Sequence, residues 1–336
     1  MKRRLPVLVL LAILLVPGLI LPRFGADAVT ASVAVQPEVL FELEFGSFTF
    51  PVSNTLFTTW IVMLLIFLFA FFATRKMQLV PHGLQNVMEM LIEMWDELGH
   101  SVAGTRSRKF LPIVLTIFIF VLFSNWLGLM PGFGPIGIIV ADKKHPAPEG
   151  IVTFDLPPAL EEFLGPKASE HSSEGEHATV LAPFFRSPST DINTTLALAL
   201  VSVIMAQVFG MQTLGVIKYW FTRFFIVSKF IEFFKTLFKG KPKFGLLVYG
   251  FLDIFMGILE FISEIAKIVS FTFRLFGNIF AGEVVLLIMA FLFFALPLPF
   301  YALEIFVGFI QAFVFAILTL VFMTIATTAH GAEEHH

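Results

Sequence analysis

From Phe244 to Leu296 the chain runs for 53 residues that are apolar enough to live in lipid, yet carry Asp253, Glu260, Glu264, Lys267, Arg274 and Glu283. As one helix such a run is about 80 Å long at 1.5 Å per residue, against a hydrocarbon core of about 30 Å. Six charges at about 3 kcal/mol each on insertion scales cannot face lipid. A strongly tilted helix lying against another protein surface accommodates both the length and the charges. Arg274 is the most constraining of the six, because a guanidinium keeps its proton at any physiological pH. A permanent charge in an apolar setting reads by default as an ion pathway or a counter-ion.

The remainder of the chain agrees with a membrane setting. Its residues are 57% hydrophobic and 14% charged, with 44 Phe, which marks a polytopic membrane protein rather than a soluble domain. The net charge of -3 says little, because the charges are segregated by position. No cysteine is present, which excludes disulfides, thiol catalysis and cysteine-ligated metals.

Met1-Lys2-Arg3-Arg4 precedes an apolar run to Leu21, and the A-x-A-like Ala26-Asp27-Ala28 follows. Residues 1–28 therefore read as a secretory signal peptide, although an uncleaved first span fits the same run. Either way, residues 29–54 form an outer-side segment. The sequence predicts one membrane domain over 55–330, with spans at 55–74, 110–130, 192–217, 244–296 and 300–328, the last two long and strongly tilted. Asn86 to Gly99 has apolar residues at helical spacing with acids between them, too polar to cross, and reads as a surface amphipathic helix. Residues 131–190 read as a polar outer loop, and 218–243 as a basic, aromatic surface helix and loop facing anionic headgroups. Pro297-Leu298-Pro299 reads as a turn, and 331–336 as a tail. The expected fold is all-α: about five membrane helices plus surface amphipathic helices.

Lys and Arg counts orient it. Segments 75–109 and 218–243 carry five and seven, segment 23–54 carries one and the 297–299 turn none, while the long, acidic 131–190 loop carries four. Basic segments face the cytoplasm, so the N-terminus lies outside and the C-terminus inside.

Helical spacing orders the ionisable groups. Glu260, Lys267 and Arg274 recur every seven residues and share a face, with Glu264 close to it and Asn278 one turn beyond Arg274. Glu283 is nine residues past Arg274, on the opposite side. Glu304 and Gln311 share a face of the last helix. Bland readings stand beside these: a salt-bridge ladder for Glu260, Glu264 and Lys267, a structural Arg bonded to carbonyls, packing acids, and a plain interhelical hydrogen bond for Gln311.

Arg274-Leu275-Phe276-Gly277-Asn278, with Ala281-Gly282-Glu283 after it, resembles the signature of subunit a of F-type ATP synthases. Asn125-Trp126-Leu127-Gly128-Leu129-Met130-Pro131, Asp191-Ile192-Asn193-Thr194-Thr195 and Gln311-Ala312-Phe313-Val314-Phe315 fit the same family, and the likeness covers about residues 45–330 in order. The resemblance implies a proton-conducting stator channel in a bacterial plasma membrane, beside a rotating ring of c subunits and with b-type peripheral stalk subunits as further partners. It implies that Arg274 faces the ring and Asn278 lines the cytoplasmic half-channel. Lys267 shares the stripe of these two. Glu283 and Glu304 would match the polar pair of the outer half-channel, Gln311 the glutamine near the arginine, and Asn193 and Asp191 the outer aqueous entrance. One departure stands out: the two outer positions often hold an acid and a histidine, and here both are Glu, a pair expected to titrate together.

Other signals carry less. Gly132 to Gly137 fits G-x-G-x-x-G literally, but follows a membrane helix and contains Pro135. No Walker A or H-E-x-x-H pattern appears, so no enzyme site, cofactor or metal is expected, and no nucleic-acid partner. Asn193-Thr194-Thr195 is a sequon at a span boundary. His145, His171, His177, His335 and His336 read as solvated, and His330 alone has a possible place on a pathway. A self-contained secondary transporter is the runner-up, but no internal repeat is visible. A membrane enzyme lacks a nucleophile or metal constellation.

Overall fold

A computed structural model of the chain describes residues 37–45, 48–130, 137–142, 178–183, 185–224, 231–233, 244–292 and 297–328. The expected signal at 1–28, the loop histidines, His330 and the tail lie outside the described residues, as does the G-x-G-x-x-G match apart from Gly137.

The chain is a mostly helical polytopic membrane protein. Strands β1 (Val39–Phe45) and β2 (Phe48–Ser53) lead into α1 (Asn54–Thr74), followed by α2 (Leu84–Ala103), a 3-10 turn (Gly104–Arg106) and α3 (Ser107–Gly128). Strands β3 (Gly137–Asp142) and β4 (Ala178–Pro183) and a 3-10 turn (Pro188–Thr190) precede α4 (Ile192–Leu214) and α5 (Val216–Arg223). Helices α6 (Phe244–Leu292) and α7 (Pro297–Thr327) complete the series.

Two features depart from an all-helical expectation. The N-terminal segment expected outside contains an antiparallel hairpin, β1 on β2, in which Phe41, Leu43 and Phe45 alternate with Glu42 and Glu44 at the strand period. Part of the 131–190 loop is likewise paired, β3 with β4, through two β-branched stretches, Gly137–Asp142 and Ala178–Pro183. Pro297-Leu298-Pro299 forms the first turn of α7 rather than a turn between helices. A proline there loses no helical hydrogen bond, because the first amides have no partner anyway.

Helix ends follow local chemistry. Ser53 Oγ accepts from the Leu56 amide at 3.3 Å and caps α1. Gly83, Gly104 and Gly215 take positive φ of 60°, 58° and 82° at the junctions around α2 and between α4 and α5. Among the described residues four helical stretches are long and apolar enough to cross a membrane: Asn54–Thr74, Leu84–Gly128, Ile192–Leu214 and Pro297–Thr327. Helix α6, expected as a further span, is not one of these four; it runs unbroken for 49 residues.

The chain divides into two compact units: 1–65, 122–191 and 277–309 in the first, and 66–121, 192–276 and 310–336 in the second. The second unit has an aromatic core. Trp95 of α2 is fully buried and packs on Phe118 at 5.2 Å and Phe313 at 5.5 Å between ring centroids. Phe271 meets Phe315 at 4.7 Å and Phe322 at 5.3 Å. Ser202 and Thr319 share a buried 2.7 Å hydrogen bond between α4 and α7. A Cβ at Gly210 would collide with the Tyr219 ring, and one at Gly257 with the Phe224 carbonyl, so glycine sets how closely these backbones approach.

Candidate ion-translocation site

The first unit holds a polar network inside apolar helices. The turn 185–191 is its centre. The Arg186 amide donates to Thr58 Oγ1 at 3.2 Å, and Ser187 Oγ donates to the Ser124 carbonyl at 3.0 Å. Ser189 Oγ donates to Asn125 Oδ1 at 2.7 Å, while Asn125 Nδ2 donates to the Gly308 carbonyl of α7 at 3.0 Å. Trp126 Nε1 donates to the Ile305 carbonyl at 3.1 Å. A Cβ at Gly128 would strike Ser187, so the turn seats directly on α3. One short stretch of α3 thus clamps both the turn and α7.

The clamp positions three acids. Asp191 is buried and accepts from Thr55 Oγ1 at 2.9 Å. Glu283 of α6 accepts from Arg186, whose Nε and Nη2 lie 3.3 and 3.2 Å from its Oε2. The Arg186 side chain is 6% exposed and that of Glu283 36%. The guanidinium also lies 6.0 Å from the Phe280 ring centroid. Glu304 of α7 is buried, and among the described residues nothing donates a hydrogen bond to it or pairs with its charge. Its carboxyl lies over Gly282, where any Cβ would collide with it.

The second unit holds a different set of charges. Arg223 of α5 is 5% exposed and donates through Nη2 to Glu260 Oε1 at 2.6 Å and Glu264 Oε1 at 2.9 Å. Lys267 Nζ reaches the same Glu264 oxygen at 2.8 Å and sits 4.9 Å from the Phe322 ring centroid. Burial pushes the Tyr219 phenol up to about 12, with Glu264 and Glu260 adding to the shift and Arg223 opposing it. That phenol donates to Gln207 Oε1 at 2.5 Å. Arg223, expected among headgroup-facing cations, is instead the buried centre of this cluster.

Arg274 contrasts with both sets. It is exposed on α6, its Nη2 is 3.3 Å from Ser270 Oγ, and its guanidinium carbon is 5.9 Å from the Phe271 centroid. No carboxylate lies within ion-pair distance among the described residues. Asn278, one turn on, is exposed and makes no hydrogen bond among the described residues. Earlier on α6, Phe255, Leu259, Ile262, Val269 and Phe273 are exposed too. Gln311 is half-buried without a hydrogen bond among the described residues, and Asn193 is exposed in the first turn of α4.

Within the first unit, then, the structure gathers Asp191, Glu283 and Glu304 about the 185–191 turn. It ties Lys267 into the Arg223 cluster and leaves Arg274 and Asn278 without a partner acid. Sequence reasoning missed Arg186 and Arg223. A usable signal for Arg186 was its position as a lone cation beside Phe184-Phe185, six residues before the span that opens at Ile192.

The family described as ATP synthase A chain matches residues 56–324. ATP synthase subunit a of Moorella thermoacetica is 29% identical over 88% of this chain and 98% of its own length. That of Syntrophobacter fumaroxidans is 30% identical over 82% of this chain and 83% of its own length. That of Gloeobacter violaceus is 29% identical over 95% and 99%. With the likeness running from α1 to the end of α7 and including every helix that bears the polar groups above, the chain belongs to the ATP synthase A chain family.

Proposed function

We propose that this chain is the proton-translocating subunit a of an F-type ATP synthase in a bacterial plasma membrane, ion-conducting and non-catalytic, standing beside a ring of c subunits and held by b-type stalk subunits. The observation that carries the reading is Arg274: a permanent cation, exposed on α6 beside exposed apolar residues such as Val269 and Phe273, with only Ser270 bonded to it among the described residues. A charge left open on such a face suits a carboxylate on another chain that moves past it.

In this reading a proton from outside passes the entrance at Asp191 and Asn193 and reaches Glu283 and Glu304. It is handed to a ring carboxylate, which becomes neutral and can travel through lipid. After rotation that carboxylate loses its proton through a cytoplasmic half-channel past Asn278, and Lys267 lies on the inner stretch of the same helix. Arg274 attracts the ionised carboxylate and keeps protons from passing directly between the half-channels, with Gln311 nearby on α7. Each charge that leaks forfeits about 2.3 kcal/mol per 100 mV, which sets the value of the barrier. Lysine is a poor replacement, because its ammonium deprotonates when buried. The Lys and Arg distribution supports an outside N-terminus and a cytoplasmic C-terminus, and a 49-residue α6 supports a strong tilt.

The test is Arg274→Ala in the assembled complex, read in inverted vesicles. ATP-driven proton uptake falls to background while ATP hydrolysis continues. Uptake at the wild-type rate would sink the reading.

A further inference from the structure

Resting on the reading above, the first unit also suggests how its two glutamates divide their work. They stand in unequal surroundings. Glu283 receives two hydrogen bonds on one oxygen from a guanidinium that is itself buried and fixed by its backbone on Thr58. Glu304 is buried against Gly282 with no donor among the described residues. The polar side chains of the neighbouring stretch of α3 are committed elsewhere, Asn125 to the Gly308 carbonyl and Trp126 to that of Ile305.

We propose that Arg186 is a positioning residue of the outer half-channel, holding Glu283 as a fixed, charge-compensated carboxylate, so that Glu304 is the acid that carries the proton. A proton from the outer water adds to a Glu304 carboxylate oxygen and gives a neutral acid. The same proton then leaves for the ring carboxylate, and Glu304 returns to the anion. The Arg186–Glu283 pair stays net neutral throughout. Its role is to aim a stationary dipole at the path and to spare Glu304 a second anion beside it.

The test uses the assembled complex, with the amount of this chain in the purified complex as the control for folding. Arg186→Gln leaves Glu283 without its counter-charge and lowers ATP-driven uptake about tenfold or more, since removing one partner of such a pair is worse than removing both. Arg186→Lys restores part of the loss. The double variant Arg186→Gln with Glu283→Gln recovers at least about half of the wild-type rate, because no orphan charge remains. Glu304→Gln abolishes uptake. If the double variant stays as defective as Arg186→Gln at normal chain content, the proposal is overturned.

Where Arg186→Gln reduces chain content, infrared spectra decide. The deuteration-sensitive carbonyl stretch of a protonated carboxyl disappears in Glu304→Gln and persists in Glu283→Gln; the converse overturns the proposal. Arg274→Ala separates the two levels: its loss of uptake upholds the underlying reading whichever way the Arg186 variants fall.

Discussion

Two arginines in apolar surroundings share a side chain and little else. Arg186 is 6% exposed, donates through two nitrogens to Glu283, and has its own amide tied to Thr58. Arg274 is exposed and bonds one serine. The first has its charge answered by Glu283; the second meets no carboxylate among the described residues. In the proposed function an open charge of this kind serves a carboxylate on another chain, so the contrast offers a way to tell cohesion from transport.

The contrast can be broken by measuring stability and function side by side. Arg223 belongs with Arg186 in the answered class, and Arg223→Met leaves Glu260 and Glu264 facing Lys267 alone. It is expected to cost about 3–5 kcal/mol, as for other buried pairs that lose one partner. Arg274→Met is expected to stay within about 0.5 kcal/mol of the parent. Thermal unfolding in detergent reads both, and equal losses would erase the distinction.

A subtler change sharpens the same point inside the network around the 185–191 turn. Gly282→Ala places a methyl group against the Glu304 carboxyl, so that side chain must turn away. Proton uptake falls on the order of tenfold, as displacements of this size do, while chain content is kept. Ser202→Ala touches neither arginine. It removes the 2.7 Å bond to Thr319 and costs about 1 kcal/mol with uptake unchanged.

A last effect is on the alkaline side. The buried Tyr219 phenol is raised to about 12, above the value of about 10 in an unfolded chain. A raised folded value contributes stability that is complete below pH 10 and is lost as pH rises through 12. Unfolding midpoints should therefore fall between about pH 10 and 12, and Tyr219→Phe should flatten that slope.

Much of this was legible in the sequence because membrane helices announce themselves. Continuous apolar runs gave α1, α3, α4 and α7, and the Arg274 motif gave the family. The pairings were not legible, because each joins residues far apart in the chain. Arg186 and Glu283 are 97 residues apart, Arg223 and Glu264 are 41 apart, and Asn125 and Gly308 are 183 apart. Spacing along one helix placed Glu260, Glu264 and Lys267 on a common stripe, but it could not reveal that α5 supplies a second cation to it. A charge count likewise assigned Arg186 and Arg223 to loops by number, whereas burial is decided by which carboxylate each meets.

The 97 residues between Arg186 and Glu283 also set a clock. At about 5–20 residues per second, the ribosome finishes Arg186 roughly 5–20 s before Glu283 exists. Throughout that interval the guanidinium has no acid on α6 to receive it. The turn itself need not wait, because its bonds to Thr58, Ser124 and Asn125 all reach residues already made. Only the Arg186–Glu283 pair depends on α6, so a chain stalled between these two residues would hold the turn in place without that pair.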